Sequence, residues 1–320
     1  MRKKANQGKE IAMNVQDISL QTALDLFLLD RKARQLKDCT TSAYFYAVKK
    51  FREFVATDDM KEVNFQKLQA YIIFKRNNGI TDNTIAGQLG FLRAFFKWCF
   101  SEGYLSEFRI PYVKQTQHVK DVYTEDELQI LLKKPDIKKC RFWEYETWVL
   151  INFYLGTAVR INSAVNVKIQ DVDFHSGIIK VMVVKNRKPL TIPLSHTLAI
   201  VLKEYLKYRK GNPEDYLFCN SYGEKAETRV AQKQLRDYNL GRGIKKTSAH
   251  LFRHTFAKNW ILNGGDIFRL QKILGHSSID IVKMYVSMFA NDVAKDFDRF
   301  NPLDNICHSG ERNRIRMKQF

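Results

Sequence analysis

A chain of 320 residues, 45% hydrophobic and 27% charged, carries enough apolar material for a packed core and has room for two domains of ordinary size. Lys and Arg number 53 against 34 Asp and Glu; the resulting +19 repels itself unless a polyanion neutralises it, so nucleic acid is the expected partner. No apolar run approaches the roughly 18 residues of a spanning helix, residues 1–14 lack the apolar stretch of a secretory signal, and the five cysteines form no CxxC pair. Membrane attachment, a disulfide framework and a zinc finger are therefore not expected, and reduced thiols in a cytoplasmic protein are.

Residues 1–14, with Arg2, Lys3, Lys4 and Lys9, are expected to be flexible and basic. Order begins at Ser19, an N-cap ahead of Leu20, Ala23, Leu24, Phe27 and Leu28, which share one helical face. A second helix runs from about residue 41, with Tyr44, Ala47, Val48, Phe51, Phe54 and Val55 on its apolar stripe. A third covers 64–75 and ends near Asn78-Gly79; Thr84 is expected to cap a fourth that closes at Gly103. Together they predict a compact helical domain over 15–105, with Lys49, Lys50, Arg52, Lys75, Arg76, Arg93 and Lys97 on its outer faces.

Periodicity lapses over 106–121, where Pro111 and a polar stretch read as an interdomain linker. Structure resumes at Thr124, whose spacing to Glu127 is that of a capping box. An apolar helix follows over 143–158. A β-like run over 177–184 turns across 185–189 and returns through Thr191-Ile192-Pro193 as a hairpin. Further helices are expected near 197–208, 230–238, 250–262, 267–274 and 279–287, within a second domain over 122–300. Residues 301–320 read as a basic tail, with Arg312, Arg314, Arg316 and Lys318. The fold class is thus mainly α with a small β-sheet (α+β).

His250 and Arg253 stand three apart, so one helical face carries both. Arginine suits a phosphate because its planar fork stays charged and donates paired hydrogen bonds. The plainer reading is two surface side chains on an amphipathic helix. A zinc reading of His250 and His254 fails on Leu251, where that motif needs a glutamate, and on the lack of a third ligand. Gly275 ends one helix and puts His276 in a tight turn; Tyr285 follows on the next helix, where a core aromatic is the alternative.

His250-x-x-Arg253, then Leu274-Gly275-His276, then Tyr285 resembles the tyrosine recombinases, the phage integrase family. The box Gly156-Thr157-Ala158-Val159-Arg160-Ile161 is similar to that family's first arginine box, and the hairpin around Lys185 to its lysine-bearing β-turn. The likeness spans about residues 122–290, and the helical region before it is similar to the family's SAM-like core-binding domain. Two departures stand out: Ala158 where the family usually has glycine, and Ser163 where it commonly has an acid. Lys185 and Lys188 share one turn, and Lys185 is preferred because it directly follows the strand.

What the resemblance implies is metal-free, cofactor-free strand exchange on double-stranded DNA carrying paired recombination sites. Tyr285 is the nucleophile, His250 the general base, Lys185 the acid for the leaving oxygen. Arg160, Arg253 and His276 stabilise the phosphorane. The resemblance also implies a homotetramer in the synaptic complex and leaves room for an accessory directionality factor. Residues after Tyr285, with Val293, Phe297 and Phe300 at helical spacing, are expected to pack on a neighbouring protomer or on their own domain. The short N-terminal segment leans toward a simple recombinase or resolvase. Two rivals remain at this level: a type IB topoisomerase-like nicking and resealing enzyme, and a catalytically decayed DNA-binding accessory protein.

Overall fold

The structure, a computed structural model, describes residues 18–115, 121–182 and 189–275. The expected flexible N-terminus, the turn bearing Lys185 and Lys188, His276, Tyr285 with the helix over 279–287, Val293, Phe297, Phe300 and the basic tail lie outside the described residues. The chain divides into two compact units, before and after residue 118. Among the described residues no helix is long and apolar enough to cross a membrane.

The first unit is built from α1 (Leu20–Ala33), α2 (Asp38–Val55), α3 (Phe65–Asn77) and α4 (Asp82–Ser101). Ser19 caps α1, its Oγ accepting from the Thr22 amide, and Asn64 caps α3 through the Lys67 amide. The cap of α4 is Thr81, which accepts from the amide of Thr84. The expected cap at Thr84 is thereby corrected: two threonines three apart offer the same chemistry, and the one preceding Asp82 wins the N-terminal position.

The core of this unit is aromatic. Phe27 meets Tyr44 and Phe95 edge-on at 5.1 and 5.4 Å between ring centroids, and Phe51 meets Tyr71 and Phe96 at 5.3 and 5.5 Å. Of the basic residues expected outside, Lys49, Lys50, Arg76 and Lys97 are exposed. Arg52, Lys75 and Arg93 are half-buried, with Lys75 Nζ 5.0 Å from the Tyr71 centroid and Arg93 donating to the Pro111 carbonyl at 3.1 Å. That last bond and buried Val113 fasten part of the expected linker to the helical core, because the segment carries apolar anchors among its polar residues.

The second unit opens with α5 (Glu125–Leu132), whose reciprocal capping box joins Thr124 and Glu127. Apolar α6 (Phe142–Thr157) runs through its centre, buried along most of its length. A short α7 (Ile161–Ala164) and a two-residue strand β1 (Val172–Asp173) follow. Next come β2 (Ile178–Val181) and β3 (Leu190–Pro193), antiparallel with Ile179 opposite Ile192. Among the described residues they form one sheet in the order β1-β2-β3. Helices α8 (His196–Arg209), α9 (Thr228–Gly241), α10 (Ala249–Leu262) and α11 (Ile267–Leu274) complete the described unit.

Candidate active site

Helix α10 begins where the Oγ of Ser248 accepts from the His250 amide at 3.3 Å. Its rotation is fixed from both sides. Thr255 Oγ1 donates to Leu251 O and accepts from the Tyr123 amide at 2.9 Å, while the rings of Phe252 and Tyr123 stack at 4.3 Å. His250 is left exposed at the positive end of the helix, and Arg253, one turn on, is turned inward with 5% of its surface exposed. The shared face expected for the pair therefore runs from solvent into the protein.

Arg253 reaches two carbonyls: Nη1 donates to Ala158 at 2.6 Å and Nη2 to Leu274 at 2.5 Å. Both acceptors sit at helix C-termini, where carbonyls lack intrahelical partners and the helix dipole is negative. Ala158 is the C-cap of α6 at φ 54, and Leu274 is the last residue of α11 before Gly275 at φ 58. Both corners are thus left-handed, the conformation that suits glycine best. Ala158 holds this conformation at a cost in backbone strain, and its methyl is fully buried in a small cluster with Ala257, Leu270 and Leu274.

Two residues beyond Ala158, Arg160 is half-buried and caps α7, its carbonyl accepting from the amides of Ser163 and Ala164 at 2.8 and 2.9 Å. Ser163 is 5% exposed. Helix α7 is stapled to the segment leading into α9, since Lys225 donates from Nζ to Asn166 and Thr228 Oγ1 lies 3.4 Å from Asn162 Oδ1. Leu190, first residue of β3, lies beside the Gly275 corner: a Cβ on Gly275 would make ordinary van der Waals contact with its Cδ2 at 3.5 Å.

The described residues thus bring together the Arg160 corner, Arg253, the Gly275 corner and the near end of the hairpin. Lys185, His276 and Tyr285 lie outside the described residues. Sequence reasoning missed the Ala158 and Leu274 carbonyls as partners of Arg253, and the two asparagines that anchor α7. Backbone acceptors carry no sequence letter, so only the left-handed caps, signalled in part by Gly275, hinted at them. Among the described residues no group of three His, Cys, Asp or Glu side chains is arranged to hold a metal ion.

A helical N-terminal unit followed by a mixed unit with a small sheet is the domain order of the integrase fold, and the family matches follow the same division. Residues 121–291 match the phage integrase family and residues 26–117 its SAM-like domain. The chain belongs to the phage integrase family. It is 24% identical over 279 residues to the tyrosine recombinase XerD of Staphylococcus saprophyticus, covering 83% of this chain and 94% of that one. A lambda integrase dimer bound to a COC′ core site superposes with a TM-score of 0.70 at 15% identity, over 84% of this chain and 77% of that one. The Tn1549 transposon integrase in complex with transposon right end DNA gives 0.70 at 18% identity, over 87% and 98%. A lambda integrase tetramer bound to a Holliday junction gives 0.66 at 18%, over 82% and 78%.

Proposed function

We propose that this chain is a site-specific DNA recombinase that cleaves and rejoins duplex DNA through a 3′-phosphotyrosine intermediate. What supports this reading is that the family match over 121–291 spans Arg160, Lys185, His250, Arg253, His276 and Tyr285 in the family's own order. A phenol of pKa about 10 is only about 0.1% ionised at pH 7, so Tyr285 needs help to attack. In this reading His250 takes the phenolic proton as the tyrosine oxygen bonds to phosphorus. The P–O5′ bond breaks, and Lys185 protonates the departing 5′-oxygen. Arg160, Arg253 and His276 face the charge that builds on the phosphorane, where one such donor is typically worth about 10²–10³ in rate. The phosphodiester energy is kept in the covalent link, so a 5′-hydroxyl from another strand reverses the step without ATP.

Two duplexes held by four protomers, with exchange through a Holliday junction, follow by analogy with the lambda integrase tetramer. The site of action is bacterial DNA in the cytoplasm. The test is a duplex nicked beside the crossover so that the cleaved fragment diffuses away. The expected result is a covalent protein–DNA adduct on a denaturing gel that disappears in Tyr285→Phe. An adduct that persists in that variant removes Tyr285 as nucleophile. Products joining two duplexes separate recombination from simple nicking and resealing.

A further inference from the structure

The buried guanidinium of Arg253 reaches two chain corners that are far apart in sequence and adjacent in space. One is the left-handed corner at Ala158, from which Arg160 follows; the other is Leu274-Gly275, which His276 follows. We propose that Arg253 is a positioning residue as well as a phosphate ligand: its guanidinium locks the two corners together before DNA arrives and so sets the spacing of the cationic groups that will meet the phosphate. The proposal rests on the recombinase reading for its consequence in catalysis, but not for the lock itself.

A guanidinium has five N–H groups in a rigid plane. One hydrogen on Nη1 and one on Nη2 go to the two carbonyls, so the plane is fixed at two points. The acceptors are what a buried cation needs, since each terminates a helix whose dipole leaves negative charge there. The corners also need the cation. Ala158 holds a left-handed φ of 54 without being glycine, and a carbonyl buried there without a donor would be costly. Lysine cannot substitute, because a single ammonium is a point donor and not a two-pronged plane.

The experiment uses the full chain. Hydrogen exchange is measured without DNA at the amides of 159–161 and 273–275 in the wild type, Arg253→Lys and Arg160→Ala. Arg253→Lys is expected to raise exchange at both corners by about tenfold or more, whereas Arg160→Ala leaves 273–275 unchanged. On the nicked duplex at saturating DNA, Arg253→Lys should form adduct about 100-fold more slowly while its DNA affinity stays within about threefold, as misplacement of reacting groups predicts. Unchanged exchange at either corner, with the slower rate, makes Arg253 a phosphate ligand only and overturns the proposal. Should the lysine variant not fold, nitrogen-resolved NMR of the wild type decides. Separate, slowly exchanging Nη signals for Arg253 support the lock; signals averaged by free rotation refute it. Persistence of the adduct in Tyr285→Phe would sink the recombinase reading and leave the exchange result standing.

Discussion

Ala56 and Ala158 adopt nearly the same left-handed backbone, at φ 53 and 54, yet their surroundings differ. A non-glycine residue in this region costs roughly 1–2 kcal/mol, and glycine there loses about 0.4–1 kcal/mol of that through its freer unfolded chain. Ala56 is exposed at the C-cap of α2, so its methyl contributes little. Ala56→Gly is expected to stabilise the first unit by about 0.5–1 kcal/mol, read as a higher urea midpoint. Ala158 is fully buried, and its methyl adds about 0.8 kcal/mol of burial. Ala158→Gly should therefore change stability by less than about 1 kcal/mol in the same measurement. The same balance accounts for an alanine standing where the family usually has glycine: packing against Leu270 and Leu274 offsets the strain.

At the level of elements, a single carboxyl joins α6, α8 and the segment before α9. Glu146 is 4% exposed and its Oε1 accepts from Tyr205 Oη at 2.9 Å and from the Cys219 amide at 2.7 Å. Burial pushes its pKa up to about 7 against the lowering effects of those two bonds and of Arg209. The folded protein then binds a proton that the unfolded chain has released across the interval from the ordinary carboxyl value to about 7. Stability from this group is highest at low pH and declines as pH rises through that interval. Glu146→Gln should flatten the decline. Between pH 5.5 and pH 8 the variant is expected to gain on the order of 1–2 kcal/mol relative to wild type, measured by urea unfolding. A parallel pH dependence in the two proteins would rule Glu146 out as its source.

These elements were unequally legible in the sequence. Ser19 before Leu20 and Thr124 three before Glu127 carry their hydrogen-bonding chemistry in the side chain, and the helices they start form where that chemistry points. Helix α7 and strand β1 span four and two residues, too few for a period to register. Arg253 stood out by residue type and spacing, but its burial did not, because a charged letter at a helix start reads as surface. The order of residue types from Arg160 to Tyr285 carried the resemblance; the geometry that joins the Ala158 and Gly275 corners lives in backbone groups that every residue shares.

For the whole molecule, +19 is a demand for counterions. Part of that charge is organised on α9, where Arg229, Lys233 and Arg236 are exposed at helical spacing while Ala231, Leu235 and Tyr238 are buried on the opposite side. No ion pair described in the structure includes any of the three. If each meets a phosphate, replacing all three by Ala should reduce the slope of log affinity against log salt by roughly 2–3, at about 0.9 per contact. Affinity titrations between 50 and 200 mM salt measure it. An unchanged slope would take α9 away from the nucleic acid. Because Thr228 and Lys225 reach Asn162 and Asn166, the start of this helix is also tied to the element that Arg160 caps.

The bonds from Arg253 to Ala158 and Leu274 end on main-chain oxygens, and that choice bears on how the gene can drift. A point mutation at either acceptor leaves the oxygen in place, so what limits the side chain there is the packing of the buried cluster and not the bond to Arg253. Losing or gaining one codon near either site rotates the oxygen away from its donor altogether. Indels near these two positions should therefore be purged more strictly than small apolar exchanges that keep the cluster filled, a signature that a tally of invariant letters would overlook.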